Sequence, residues 1–177
     1  AFMTGLERNA DLVTMSCYAP LFGHTERWQW TPDLIWFDNL RSYATPNYYV
    51  QQLFSLNRGD VLLPVEITGQ EPPSSKQPGL YATSSRDEKT DEIIVKAVNS
   101  ASQAIVAQIK IEGAHRIGHR GAAIVLVSEQ LTDENTLAEP KKIAPVRTPL
   151  RGIGKSFERT FPAYSVTVLR LRARSSG

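Results

Sequence analysis

Residues 104–111, Ala-Ile-Val-Ala-Gln-Ile-Lys-Ile, set Ile105, Ala107, Ile109 and Ile111 on one side of an extended chain and Val106, Gln108 and Lys110 on the other. A period of two is the pattern of a strand with one buried face and one wetter face. Working outward, similar short apolar runs occupy 61–67, 80–83, 92–98, 122–127, 155–161 and 164–171, separated by turns rich in Gly, Pro, Ser and Asp. Seven or eight short strands with no credible helix between them predict an antiparallel β-sandwich over residues 60–177. The stretch 71–79, with Pro72, Pro73 and Pro78, reads as a loop of that sandwich.

The first 59 residues have another character. All three Trp (Trp28, Trp30, Trp36) and four of the six Tyr (Tyr18, Tyr43, Tyr48, Tyr49) lie before residue 60, so the chain divides into parts at 1–59 and 60–177. Phe2 to Asn9 reads as the tail of a helix, and Leu12 to Phe22 as a buried strand running into a loop at Pro20. A second apolar run, Leu34 to Phe37, follows Pro32. Thr45 and Pro46 then supply an N-cap and a proline at the first helical position. Tyr49, Val50, Leu53 and Phe54 form one helical face and Gly59 a stop, which predicts a helix over 46–57.

Composition limits the function. Of 177 residues, 41% are hydrophobic and 21% charged, enough for a real core and against disorder or a coiled coil. A net charge of +2 requires neither a nucleic acid nor a membrane as partner, and the basic run Arg170, Arg172, Arg174 is the local exception. No window approaches the roughly 18 apolar residues of a membrane helix. Residues 1–13 lack the basic start and apolar core of a signal peptide and carry no Met at position 1, so the chain reads as a piece of something longer. The single cysteine excludes an internal disulfide and leaves the compartment open. Of the locations, secreted or periplasmic is favoured over cytoplasmic.

Most candidate chemistry reduces to structure. Gly154-Lys155-Ser156 copies the tail of a phosphate loop, but Pro149 stands where the first glycine is needed, so it reads as a turn opening a strand. His115 and His119 are spaced for one helical face, yet Gly113, Gly118 and Gly121 make a solvated hairpin loop the better account, with no metal site. Cys17 sits in an apolar run and is expected to pack as a small hydrophobe. His24 is a lone loop histidine. Trp28, Trp30, Trp36 and Tyr43 suit either burial or stacking on sugar rings. Asp38 and Asn39 either cap a turn or present polar groups to a ligand at a strand end.

Particular words of the sequence then carry more than its periods. GLERNADLVTMSCYAPLF at 5–22 and TPDLIWFDNLRSYATPNYYVQQLFSLNRGD at 31–60 closely resemble the end of the catalytic barrel in α-L-arabinofuranosidases of glycoside hydrolase family fifty-one. SEQLTDENTLAEPKKIAPV at 128–146 and ERTFPAYSVTVLRL at 158–171 resemble that family's C-terminal β-sandwich. The resemblance implies a mainly β chain: an antiparallel, jelly-roll-like β-sandwich preceded by the last strand, near 13–18, and last helix of a (β/α)₈ barrel.

It also implies a retaining exo-acting hydrolase that removes arabinofuranosyl side chains from arabinoxylan- or arabinan-type glycans with two glutamates and no cofactor. The acid/base follows an Asn in that family, and this chain has no Asn-Glu dipeptide. Both catalytic carboxylates are therefore expected outside it, on an upstream barrel segment that is its partner, and the chain alone is expected to be inactive. The resemblance assigns substrate binding to Asn39, then Tyr18, with the three Trp shaping outer subsites, and leaves room for a homo-oligomer. For the sandwich, a structural cap on the barrel is preferred to a carbohydrate-binding module, whose only aromatic platform would be Tyr81, Phe157, Phe161 and Tyr164.

Overall fold

The computed structural model describes residues 1–69 and 79–174, and apart from Gly79 the loop expected at 71–79 lies outside the described residues. The N-terminal part comprises helix α1 (Phe2–Arg8), strands β1 (Phe22–His24), β2 (Ile35–Phe37) and β3 (Ser42–Ala44), and helix α2 (Pro46–Leu56). Strands β4 (Val61–Leu63), β5 (Leu80–Asp87), β6 (Glu92–Asn99), β7 (Ile105–Lys110), β8 (Arg116–Val127), β9 (Val146–Arg151), β10 (Ser156–Phe161) and β11 (Ser165–Arg174) follow. They make a six-stranded sheet in the order β4-β5-β6-β11-β8-β9 and a two-stranded β10-β7 sheet, all antiparallel. The expected antiparallel sandwich is therefore observed.

Alternation along the two central strands feeds two cores. Ile94 and Val98 of β6 and Val166 and Val168 of β11 meet Leu53 and Phe54 of α2 on one face of the large sheet. Ile93, Leu169 and Leu171 meet Phe157 of β10 on the other, and Ala97 meets Phe161. Strands buried on both faces read as continuous apolar runs, which is why 92–98 and 164–171 stand out in the sequence. Each buried Leu, Ile or Phe contributes about 1.5–3 kcal/mol relative to exposure. β7 lies at the outside and keeps its alternation, with Ile105, Ala107 and Ile109 partly buried and Val106, Gln108 and Lys110 exposed.

α2 forms as expected. The Thr45 hydroxyl accepts the backbone N–H of Tyr48 (3.3 Å) and donates to the Leu34 carbonyl (2.9 Å), tying the cap to β2. The helix ends at Leu56, within one residue of the expected end, and Asn57 caps it by donating its amide to the Leu53 carbonyl (2.9 Å).

Four expectations need correction. Residues 13–18 form no strand: a strand requires ladder partners, and the ladder here starts later, where β1 pairs in parallel with β2. Cys17 is exposed rather than packed in a core, since the segment carrying it has no sheet to lie against. His119 belongs to β8 instead of a hairpin loop; Gly121 permits this because a Cβ there would strike the Arg170 carbonyl of β11, and the ring faces the Ile153 carbonyl at 3.3 Å. β9 is an additional strand at 146–151 whose Arg and Pro hide the period; as an edge strand it tolerates Pro149. The 154–156 turn opens β10 as expected.

Candidate functional site

The three short strands β1, β2 and β3 organise the aromatic part of the chain. β1 and β2 run parallel with Gly23 beside Trp36, and β3 returns antiparallel with Tyr43 opposite Trp36. Because β1 and β2 are parallel, the segments leading into them meet at one end. There Tyr18, Ala19 and Pro20 face Trp30, Thr31 and Pro32 across an open cleft of about 420 Å³. The Tyr18 hydroxyl donates to the Pro32 carbonyl at 3.2 Å and joins the two walls. Trp30 lines this cleft and is 71% exposed.

Asn39 stands at the opposite end of the sheet, past the carboxyl end of β2. The three residues of β2 separate it along the chain from the wall formed by Thr31 and Pro32. Asp38, beside it, is occupied locally. Its Oδ1 accepts the N–H groups of Leu40 (2.8 Å) and Arg41 (2.6 Å), and its Oδ2 accepts the Arg41 guanidinium (2.9 Å). Those backbone bonds first, then the Arg41 side chain, hold its carboxyl below the usual carboxylate range. Asp38 is thus the turn cap, and Asn39 is the exposed side chain that the cap displays.

His24 is the neighbour that sequence reasoning set aside. Its Nδ1 accepts the Glu26 N–H at 3.2 Å, which leaves the proton on Nε2, and Nε2 lies 3.4 Å from the Asn39 Oδ1. The Asn39 carbonyl oxygen is thereby engaged, on a side chain that is itself exposed. No spacing in the sequence links positions 24 and 39; parallel pairing of β1 with β2 brings them together.

The four aromatic candidates divide. Trp28 packs edge-on against Trp36 with ring centres 5.6 Å apart, Trp36 and Tyr43 are half-buried, and only Trp30 joins Tyr18 in the cleft. Burial, then the charge of Glu134, raises the Tyr43 hydroxyl above its usual pKa, consistent with a packing position. Asp33 was also missed: it is 2% exposed beneath Gly23, and its Oδ1 has no hydrogen-bond partner among the described residues. In the sandwich, Phe157 and Phe161 are core residues, and Tyr81 and Tyr164 are half-buried. Among the described residues no three His, Cys, Asp or Glu side chains cluster to hold a metal, and no helix is long and apolar enough to cross a membrane.

Residues 1–165 match the family model described as the α-L-arabinofuranosidase C-terminal domain. The chain belongs to this family. It is 32% identical to α-L-arabinofuranosidase 1 of Arabidopsis thaliana over 99% of its own length, and 32% identical to the probable α-L-arabinofuranosidase A of Aspergillus oryzae over 95%. It spans about a quarter of each of these relatives: 26% and 25%. Among solved structures, the arabinose-bound MgGH51 α-L-arabinofuranosidase superimposes with a TM-score of 0.88 at 32% identity, covering 98% of this chain and 26% of that one. The arabinose complex of the Thermotoga maritima α-L-arabinofuranosidase shares the fold at 19% identity with a TM-score of 0.79 over 95% of this chain and 36% of that one.

The family resemblance legible in the words at 5–22, 31–60, 128–146 and 158–171 is therefore correct, as is the mainly β fold with an antiparallel sandwich.

Proposed function

We propose that this chain is the C-terminal part of a retaining, exo-acting α-L-arabinofuranosidase that removes arabinofuranosyl side chains from arabinoxylan- or arabinan-type glycans. The observation that carries the reading is the family match over 1–165. The cleft supports it: an exposed indole and a phenol suit the apolar face and the hydroxyls of a sugar, and the exposed amide of Asn39 suits a sugar hydroxyl.

A retaining mechanism needs two carboxyl groups about 5 Å apart, one to protonate the leaving oxygen and one to attack the anomeric carbon. No cleft-lining residue is a carboxylate. The acid/base and nucleophile are accordingly assigned to a barrel segment upstream, with residues 1–59 closing that barrel and 60–177 forming the sandwich that covers its flank. This chain then binds and orients sugar, and its partner segment does the bond chemistry.

The test is arabinose release from an aryl α-L-arabinofuranoside and from arabinoxylan. The polypeptide that carries the barrel together with this chain is expected to release arabinose, and this chain alone is expected to release none. Tyr18→Phe and Asn39→Ala in the active polypeptide are each expected to weaken substrate binding several-fold by removing a sugar contact. Release by the purified chain alone, or unchanged kinetics in both variants, would remove the assignment.

A further inference from the structure

Arg120 of β8 and Arg151 of β9 stand directly opposite one another in the antiparallel ladder. Opposite residues project from the same face, and like charges placed so cost stability unless an anion lies between them. Both side chains are exposed, and neither forms an ion pair or a side-chain hydrogen bond among the described residues. Two positions along, Ala122 faces Pro149, and two further, Ile124 faces Arg147, which is likewise exposed and unpaired. Residues on one face of a strand are about 7 Å apart, so the arginines stand at the two ends of a shelf about 14 Å long floored by Ala122 and Pro149.

Arg170 shows how the protein treats a structural arginine in the same place. It lies beside Ala122 on β11, and its guanidinium donates to Glu92 (2.7 Å), Asn57 (3.2 Å) and Asp87 (3.5 Å). Carboxylates are supplied there and withheld one strand away.

We propose that the β8–β9 face is a docking site for a carboxylate-bearing glycan, a chain containing uronic acid residues. All three cations are arginine, whose planar fork pairs with a carboxylate through two parallel hydrogen bonds, whereas lysine acts as a point charge. The floor of alanine and proline offers an aliphatic surface to the C–H face of a pyranose ring. No Phe, Tyr or Trp lies on β8 or β9 to stack a nucleobase, and His119, one residue from Arg120, alternates to the other side of the strand with its ring at the Ile153 carbonyl. The choice of a glycan among polyanions rests on the arabinofuranosidase reading; the arrangement of charge does not.

The probe is a fluorescently labelled oligogalacturonate, titrated with the full chain and followed by anisotropy. Saturable binding that weakens as salt rises is expected. An uncharged arabino-oligosaccharide should not compete. Arg120→Gln combined with Arg151→Gln should weaken binding by about tenfold or more, and Arg→Lys at both sites should restore only part of it. Removing a like-charged pair does not threaten the fold, and an unchanged or higher melting temperature verifies this. Arg147→Gln reads the far end of the shelf independently.

Equal binding by the double Gln variant would overturn the proposal. So would equal competition by duplex DNA or a heparin fragment, which would indicate an unselective basic patch. Aggregation of the Gln variants with binding unchanged would identify these arginines as guards of an edge strand instead. Oligogalacturonate binding and arabinose release are read by separate assays, so failure here and failure of the hydrolase reading are separate results.

Discussion

Lys96 of β6, wholly buried, is ion-paired with Glu7 of α1 and lies 5.1 Å from the centre of the Phe54 ring of α2. One cation thus joins both helices to the sandwich. Arg8 adds a second tie by donating to the Ala82 carbonyl of β5 at 2.9 Å. These bonds fix where α1 sits, and α1 leads directly into the segment that ends at Tyr18 in the cleft.

Removing one partner strands the other charge in the core. Glu7→Gln is expected to destabilise the chain by about 3 kcal/mol, while Lys96→Met with Glu7→Leu should recover most of that loss. Urea unfolding measures both, and a single variant as stable as the parent would mean that the pair does not hold the helix. Burial lowers the Lys96 pKa below its usual 10.5, against the pull of Glu7. The unfolded chain then binds this proton more tightly, so stability should rise as pH climbs through the folded value towards 10.5, and Lys96→Met should lose that rise.

Acid sensitivity is expected from Asp133. Its carboxylate accepts bonds from Lys142 (3.0 Å), Ser128 (2.8 Å) and the Gln130 N–H (2.9 Å), which lower its pKa from the usual 3.8 to about 2. A depressed carboxyl contributes stability that is complete above the unfolded value and lost as pH falls through the folded one. Melting temperature should therefore drop between pH 4 and pH 2 more steeply in the parent than in Asp133→Asn. Identical slopes would show that the 128–133 turn does not depend on the charge.

Asn135 ties the 128–145 loop to β3 of the β1-β2-β3 sheet. Its amide donates to the carbonyls of Ala44 (2.8 Å) and Ile143 (2.9 Å) and accepts the Ile143 N–H (2.7 Å). Asn135→Ala leaves those buried backbone groups unpaired and should cost about 2–3 kcal/mol. A loss below about 0.5 kcal/mol in chemical unfolding would mean that water replaces the side chain without penalty.

Gly23 sets the spacing of β1 and β2. A Cβ there would collide with the Asp33 carboxylate and come within 2.9 Å of the Trp36 ring. Gly23→Ala is expected to destabilise by about 1–3 kcal/mol and to shift tryptophan emission as the Trp28–Trp36 contact is disturbed. An unaltered spectrum and melt would show that β1 can move aside freely.

Much of the fold lies in local pattern. The alternation at 105–111, the apolar runs of β6 and β11, and the Thr45-Pro46 start of α2 each report an interaction within a few residues, so they survive reading in one dimension. β9 does not, because an edge strand needs no apolar period and Arg147, Pro149 and Arg151 carry none. Cys17 fails for the converse reason: an apolar run states what would be buried if a partner surface were present, and here that surface is not in the chain's own sheets. The cleft candidates Tyr18 and Trp30 were nameable by type, but their meeting across the cleft was not.

From residue order alone follow the strand-rich class, the capped helix and the family words, because each depends on spacing and composition that contiguous residues carry. Tertiary structure alone pairs His24 with Asn39, Lys96 with Glu7 and Arg120 with Arg151, which lie 15, 89 and 31 positions apart. Distances of that kind are set by strand register and layer packing, and register is a cooperative property of the whole sheet that no single stretch of sequence specifies.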